Sequence, residues 1–194
     1  MRKLFFALFL TLMPMSAATT YNFEWDTSVL AATNANFVLD FLLIGDVGNQ
    51  ASLSQFSYGG GSGPNLNVTL DTNVNFFNES MISFTPGSLL KFTLAVTNNA
   101  PLLPFGVPDT LSLYLLDSSL NSIPTTDAFA SAILTFDLGP TSLTTFAGID
   151  PLAFTAPVLT SVSESFPGEA VPEPSSLSLT LGALALWCLR RKKA

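Results

Sequence analysis

Two carboxylates, Glu24 and Asp26, stand two residues apart in Tyr21-Asn22-Phe23-Glu24-Trp25-Asp26. On an extended strand this spacing puts their α-carbons roughly 6.5 Å apart on one face. Paired acids of that kind hydrolyse glycosides when one of them is desolvated and stays protonated. The apolar partners Tyr21, Phe23 and Trp25 alternate with them, which favours a solvated strand face. Asp71-x-Asn73-x-Asn75 copies the opening of an EF-hand loop, but the sixth position holds Phe76 where Gly is needed and the twelfth Ile82 where a bidentate carboxylate is needed. A solvated strand face again accounts for it better. Asp46, Asp109, Asp117 and Asp150 lie near predicted loops and leave calcium open as an ion in some other geometry.

The chain of 194 residues has no histidine, and its one cysteine, Cys188, lies in an apolar run near the C-terminus. Histidine triads, Cys/His zinc sites, thiolate catalysis and disulfides therefore have no material in the body. We expect no catalytic residue, no metal site and no cofactor, calcium excepted. Between Thr19 and Ala170 thirteen carboxylates face a single basic residue, Lys91, a net of minus twelve. Phosphate contacts need Lys and Arg, so nucleic acid is not an expected partner. Gly59 to Gly63 lacks the Lys and Ser/Thr of a phosphate loop and reads as a turn or linker. Trp25, Phe56, Tyr58 and Phe76-Phe77 could stack on sugars, but alternation sends most of them to the core.

The ends of the chain carry most of the addressing information. Arg2-Lys3 precedes an apolar run, Leu4 to Met13, and small residues Ser16-Ala17-Ala18, the pattern of a secretory signal peptide cleaved after Ala18. Residues 1–18 thus imply a secretory translocon and a signal peptidase as partners. At the other end Val171-Pro172-Glu173-Pro174-Ser175-Ser176 is followed by the apolar run Leu177 to Leu189 and by Arg190-Arg191-Lys192-Lys193. Thirteen helical residues span about 20 Å against a hydrocarbon core of about 30 Å, so this short transmembrane helix is a marginal anchor. The basic cluster should stay cytoplasmic.

This tripartite tail, about 25 residues, closely resembles the PEP-CTERM sorting signal. The resemblance implies recognition by an exosortase-type enzyme, with Pro172, Glu173 and Pro174 as the motif and Arg190, Arg191, Lys192 and Lys193 as the retention signal. It further implies passage through the inner membrane, release to the cell surface or extracellular matrix of a Gram-negative bacterium, and association with exopolysaccharide or biofilm. The body is similar to a loosely defined group of PEP-CTERM proteins in its Tyr-x-Phe first strand, Thr27-Ser28-Val29-Leu30 and the Gly-rich stretch near Gly59, which adds a fold expectation and no activity.

The elements that must position any site are strands. Period-two alternation is clearest over Leu66 to Phe76, and further runs occupy Phe37 to Ile44, Ala51 to Tyr58, Leu89 to Thr97, Thr110 to Leu116, Ala132 to Leu138 and Thr141 to Ala147. Gly, Pro, Asn and Asp clusters separate them. The expected fold is all-β: an antiparallel β-sandwich of jelly-roll or immunoglobulin-like kind over 19–160. A linker over 161–170 and the sorting signal over 171–194 follow, with the motif at 171–176, the helix at 177–189 and the basic tail at 190–193. The expected function is that of a non-enzymatic surface or matrix protein. A carbohydrate-binding module, calcium-assisted or not, is the alternative, and a polysaccharide-acting hydrolase the third.

Overall fold

A computed structural model describes residues 18–165 apart from 47, 98–106 and 140–141. The chain is all-β, with ten strands and one single-turn helix among the described residues. In chain order they are β1 (Ala18–Asp26), α1 (Ser28–Ala31), β2 (Phe37–Ile44), β3 (Gln50–Ser57), β4 (Val68–Asp71), β5 (Phe77–Phe84), β6 (Leu89–Thr97), β7 (Thr110–Leu116), β8 (Ala132–Asp137), β9 (Ser142–Thr145) and β10 (Val158–Ser165). Two antiparallel five-stranded sheets result. Sheet A has the order β10-β1-β6-β3-β4 and sheet B the order β5-β2-β7-β8-β9.

Alternation in β1 works as the sequence predicts: Tyr21, Phe23 and Trp25 are buried, while Asn22 and Glu24 point to the other face. The Trp25 indole N–H, which cannot go unpaired in a core, donates to the Thr155 carbonyl at 2.7 Å. Aromatic rings lock the two sheets together. Phe41 of β2 meets Phe92 of β6 edge-on at 6.0 Å, and Tyr21 of β1 meets Phe136 of β8 at 4.9 Å. Each such ring contributes roughly 1.5–3 kcal/mol by leaving water. Leu30 of α1, fully buried, joins the same core.

Two sequence expectations need correction, and one strand escapes the sequence pattern altogether. The alternating run Leu66 to Phe76 is not one strand: β4 ends at Asp71, whose carboxylate accepts the Asn73 backbone N–H at 2.8 Å and the Asn73 amide at 2.7 Å. Asx side chains compete with the sheet ladder for backbone groups, and here the turn they build carries the chain from sheet A to sheet B. β5 was masked in the sequence by apolar residues on both of its faces, Phe77 and Met81 on one, Ile82 and Phe84 on the other. Finally, Ser161 to Ser165, expected as the start of the linker, belongs to β10. This polar edge strand has its alternation broken by a register shift opposite Asn22 and Phe23.

The Gly59 to Gly63 segment is a built turn. Gly59 and Gly60 take left-handed backbone conformations, and a β-carbon on Gly61 would lie 2.1 Å from the Thr85 carbonyl oxygen. Only glycine permits that approach. Tyr58 closes the turn by donating its hydroxyl to the Pro64 carbonyl at 2.9 Å. No helix among the described residues is long and apolar enough to cross a membrane.

Candidate functional site

Five of the thirteen carboxylates that make the body acidic hold turns or loops. Asp26 accepts the Ser28 backbone N–H at 3.0 Å, and hydrogen bonds from the Ser28 hydroxyl and backbone hold its carboxyl below the usual range. Asp117 is held low by the Asn121 backbone N–H and amide and by the Ser119 N–H, and Asp127 by the backbone N–H groups of Phe129, Ala132 and Ala130. At Asp71 partial burial pushes upward, but the bonds from Asn73 and Gln50 outweigh it and the net direction is down. Charged acceptors suit clustered backbone N–H groups.

Asp109 does similar work inside the protein. It is 2% exposed, accepts the Asp46 backbone N–H at 2.8 Å and the Asn49 amide at 3.1 Å, and faces the Thr72 hydroxyl at 3.4 Å. This network ties the β2–β3 loop to β4 and to the start of β7. It presses so closely on Gly45 that a β-carbon there would lie 2.0 Å from the Asp109 Cγ. Of the four aspartates left open for calcium, Asp46 and Asp109 are therefore brought together, but the Asp109 oxygens already have donors. Asp117 is occupied by its own turn. Among the described residues no group of three or more His, Cys, Asp or Glu side chains is arranged to hold a metal.

Glu24 and Asp26 separate by role. Glu24 forms an ion pair with Lys91, its cross-strand partner on β6, while Asp26 turns to Ser28 at the strand end. The Glu24–Lys91 pair borders a shallow cavity of about 180 Å³ on the outer face of sheet A, lined also by Asn22, Phe23, Gln55, Phe92, Thr93 and Thr160. Thr93 donates to the Asn22 side-chain oxygen at 2.7 Å and faces the Gln55 side-chain oxygen at 3.2 Å. The Asn22 amide donates to Ser161 at 2.8 Å. Gln55 takes a left-handed backbone, φ 55°, inside the irregularity between Ser54 and Ser57 of β3. Such bulges re-aim a side chain. The result is a preset array of amides, hydroxyls and one ion pair, the groups that hydrogen-bond neutral polyols. Sequence reasoning found Glu24 but not Gln55, because a bulge has no composition of its own.

Sheet B presents a different outer face. Phe76 and Phe77 are 64% and 52% exposed, unlike Trp25, Phe56 and Tyr58, which lie in the core as expected. Phe76 borders a cavity of about 430 Å³ with Ile44, Val107 and Pro108. A larger open groove, about 530 Å³, runs past Asn36, Val38, Ser62, Thr85 and Leu120 at the far end of the sheet. Between them sits Asp40, a carboxylate in the otherwise apolar stretch Phe37-Val38-Leu39-Asp40-Phe41-Leu42. It is 8% exposed, and its Oδ1 has no hydrogen-bond partner among the described residues. Burial, and secondarily the charge of Glu79, pushes its pKa up to about 6.

Ala18, the expected cleavage point, opens β1 opposite Thr97 and Ser165, so cleavage after it leaves the strand to begin at Thr19. Pro172, Glu173, Pro174, Arg190, Arg191, Lys192 and Lys193 lie outside the described residues. The same holds for Cys188 and for the rest of the expected leader. No protein family, curated protein or solved structure matches this chain.

Proposed function

We propose that the protein is an exported, non-enzymatic component of the cell surface or extracellular matrix, a β-sandwich of jelly-roll or immunoglobulin-like kind sorted by an exosortase-type enzyme. The observation that carries this reading is the tripartite tail: Pro172-Glu173-Pro174, the apolar run Leu177 to Leu189, and Arg190 to Lys193. The engagement of Asp26, Asp71, Asp109, Asp117 and Asp127 in turns and loop ties supports it, because their acidity then serves folding and solubility. The basic cluster resists translocation and the motif is read by the enzyme.

Replacing Arg190, Arg191, Lys192 and Lys193 with Gln should let unprocessed protein appear outside the cell. Replacing Pro172 and Glu173 with Ala should instead trap full-length precursor in the inner membrane. Fractionation and blotting in a host with the sorting enzyme reads both, and wild-type maturation of both variants would refute the reading.

The cavity on sheet A favours a second reading, a module that contacts the producer's own exopolysaccharide. Asn22, Gln55, Thr93 and the Glu24–Lys91 pair offer paired donors and acceptors across one sugar-sized depression. A glycan array probed with and without a calcium chelator should show binding that falls on Gln55→Ala. Signal unchanged by that substitution would reject the site.

A further inference from the structure

On the outer face of sheet B, β2 contributes Val38, Asp40, Leu42 and Ile44, and across the β2–β5 ladder Asp40 stands opposite Met81, Leu42 opposite Glu79 and Ile44 opposite Phe77. On the other side Asp40 faces Tyr114 of β7. The residues directly opposite the carboxylate are thus apolar or aromatic, and the diagonal positions hold Ser83, Ser112 and Leu116 besides an acid. Its charged neighbour is Glu79, one diagonal step away, and that neighbour is also an acid. Phe77 and Met81 are 52% and 47% exposed, so the apolar rim is open to solvent. β5 itself is an edge strand of eight residues, without a register shift against β2 and without Pro or Lys, and Glu79 is the one charge that guards its edge. A buried carboxylate oxygen with no donor is costly, and a partner that brings a donor relieves that cost.

We infer that this face is a docking surface for a protein partner that sets a Lys or Arg side chain among apolar residues, the cation reaching Asp40 and Glu79 while the rim covers Leu42, Phe77 and Met81. Charge selects this occupant over the body of a second copy. Between Thr19 and Ala170 the protein has one basic residue, Lys91, and it is already paired with Glu24 on the opposite sheet. Face-to-face association would set two Asp40–Glu79 pairs against each other with no cation between them. Arginine is the better fit of the two cations, since its planar fork can bond a carboxylate through two N–H groups and is weakly hydrated.

The test uses the full chain with Arg2, Lys3, Arg190, Arg191, Lys192 and Lys193 replaced by Gln, so that no cation of the protein's own termini competes for Asp40, and with the methionine methyl groups labelled. Met81 is the reporter, because the other three methionines, Met1, Met13 and Met15, belong to the leader segment. Three synthetic strands of alternating Leu and Thr are titrated, identical except for Arg, norleucine or Glu at the centre of the Leu face. The Arg strand should shift the Met81 methyl signal saturably at a concentration about tenfold or more below the norleucine strand, the factor a charge-assisted hydrogen bond supplies. The Glu strand should leave the signal in place, and the preference for Arg should vanish in Asp40→Asn. Equal binding of all three strands, no saturable shift with Arg, or an Arg preference that survives Asp40→Asn would overturn the inference. So would cross-linking of Met81→Cys between two copies in a Cys188→Ser background at neutral pH, which would make the occupant a second copy.

Discussion

Asp40→Asn should make the protein more stable at neutral pH and nearly neutral in effect at pH 4. In the folded chain the Asp40 carboxyl has its pKa pushed up to about 6 from an ordinary 3.8, first by burial and then by Glu79. The folded state therefore holds the proton that the unfolded chain gives up. Stability from this group is fully present below pH 3.8, falls as pH rises toward 6, and is gone above it. A displacement of that size is worth about 3 kcal/mol. Asp40 lies on an outer face near an open edge, where solvent screens part of the effect, so about 1–2 kcal/mol is the fair expectation. For a domain near 150 residues this corresponds to roughly 2–8 °C in Tm. Urea or thermal unfolding of wild type and Asp40→Asn at pH 4 and pH 7.5 reads it directly. The carboxylates held low by hydrogen bonds, Asp26, Asp71, Asp117 and Asp127, act in the opposite sense, losing stability only as pH falls through the acid range. They are common to both proteins and cancel in the difference. A difference that does not change between the two pH values would refute the argument.

Asp109→Ala should cost about 2–5 kcal/mol, because it leaves the buried Asn49 amide and the Asp46 N–H without their acceptor; urea denaturation at pH 7 measures it, and a loss under about 1 kcal/mol would mean the network is dispensable. Gly61→Ala should cost about 1–3 kcal/mol through the collision with the Thr85 carbonyl and the Gly87 amide, both backbone atoms with little room to yield; an unchanged Tm would show the turn to be loose.

The sandwich was legible where one face is wet and the other dry. Tyr21, Phe23 and Trp25 set the register of β1, and Leu111, Leu113 and Leu115 that of β7, because the residues between them are mostly polar. Legibility failed where that contrast failed. β5 has apolar residues on both faces, and β10 carries a bulge that slips its alternation by one residue. In Leu66 to Phe76 the pattern was perfect and still misleading, since period-two spacing says nothing about the hydrogen bonds an aspartate makes to its own turn. The same limit applies to the sites. Glu24 was visible as a charged residue on a strand, but that Lys91 would neutralise it depends on the β1–β6 register, which brings together residues 67 positions apart in the chain.

Asp40 had a signal in the sequence, a lone carboxylate inside an apolar strand, and its meaning depends on which way the strand faces. Pointed inward it would have lain in the aromatic core near Phe41 and Phe92, where an unpaired charge costs several kcal/mol and a hydrophobic replacement would be preferred. Pointed outward, as it is, the same residue is shielded only by neighbours on its own sheet face, a burial that a partner can complete. The two outer faces thus divide the surface chemically. Sheet A offers hydrogen-bonding groups already satisfied by one another, suited to weak contact with a hydrated polymer. Sheet B offers apolar area around an unmet acid, suited to a selective protein contact. A body with a net charge of minus twelve repels copies of itself, and that charge distribution favours a basic, apolar-rimmed partner over self-association.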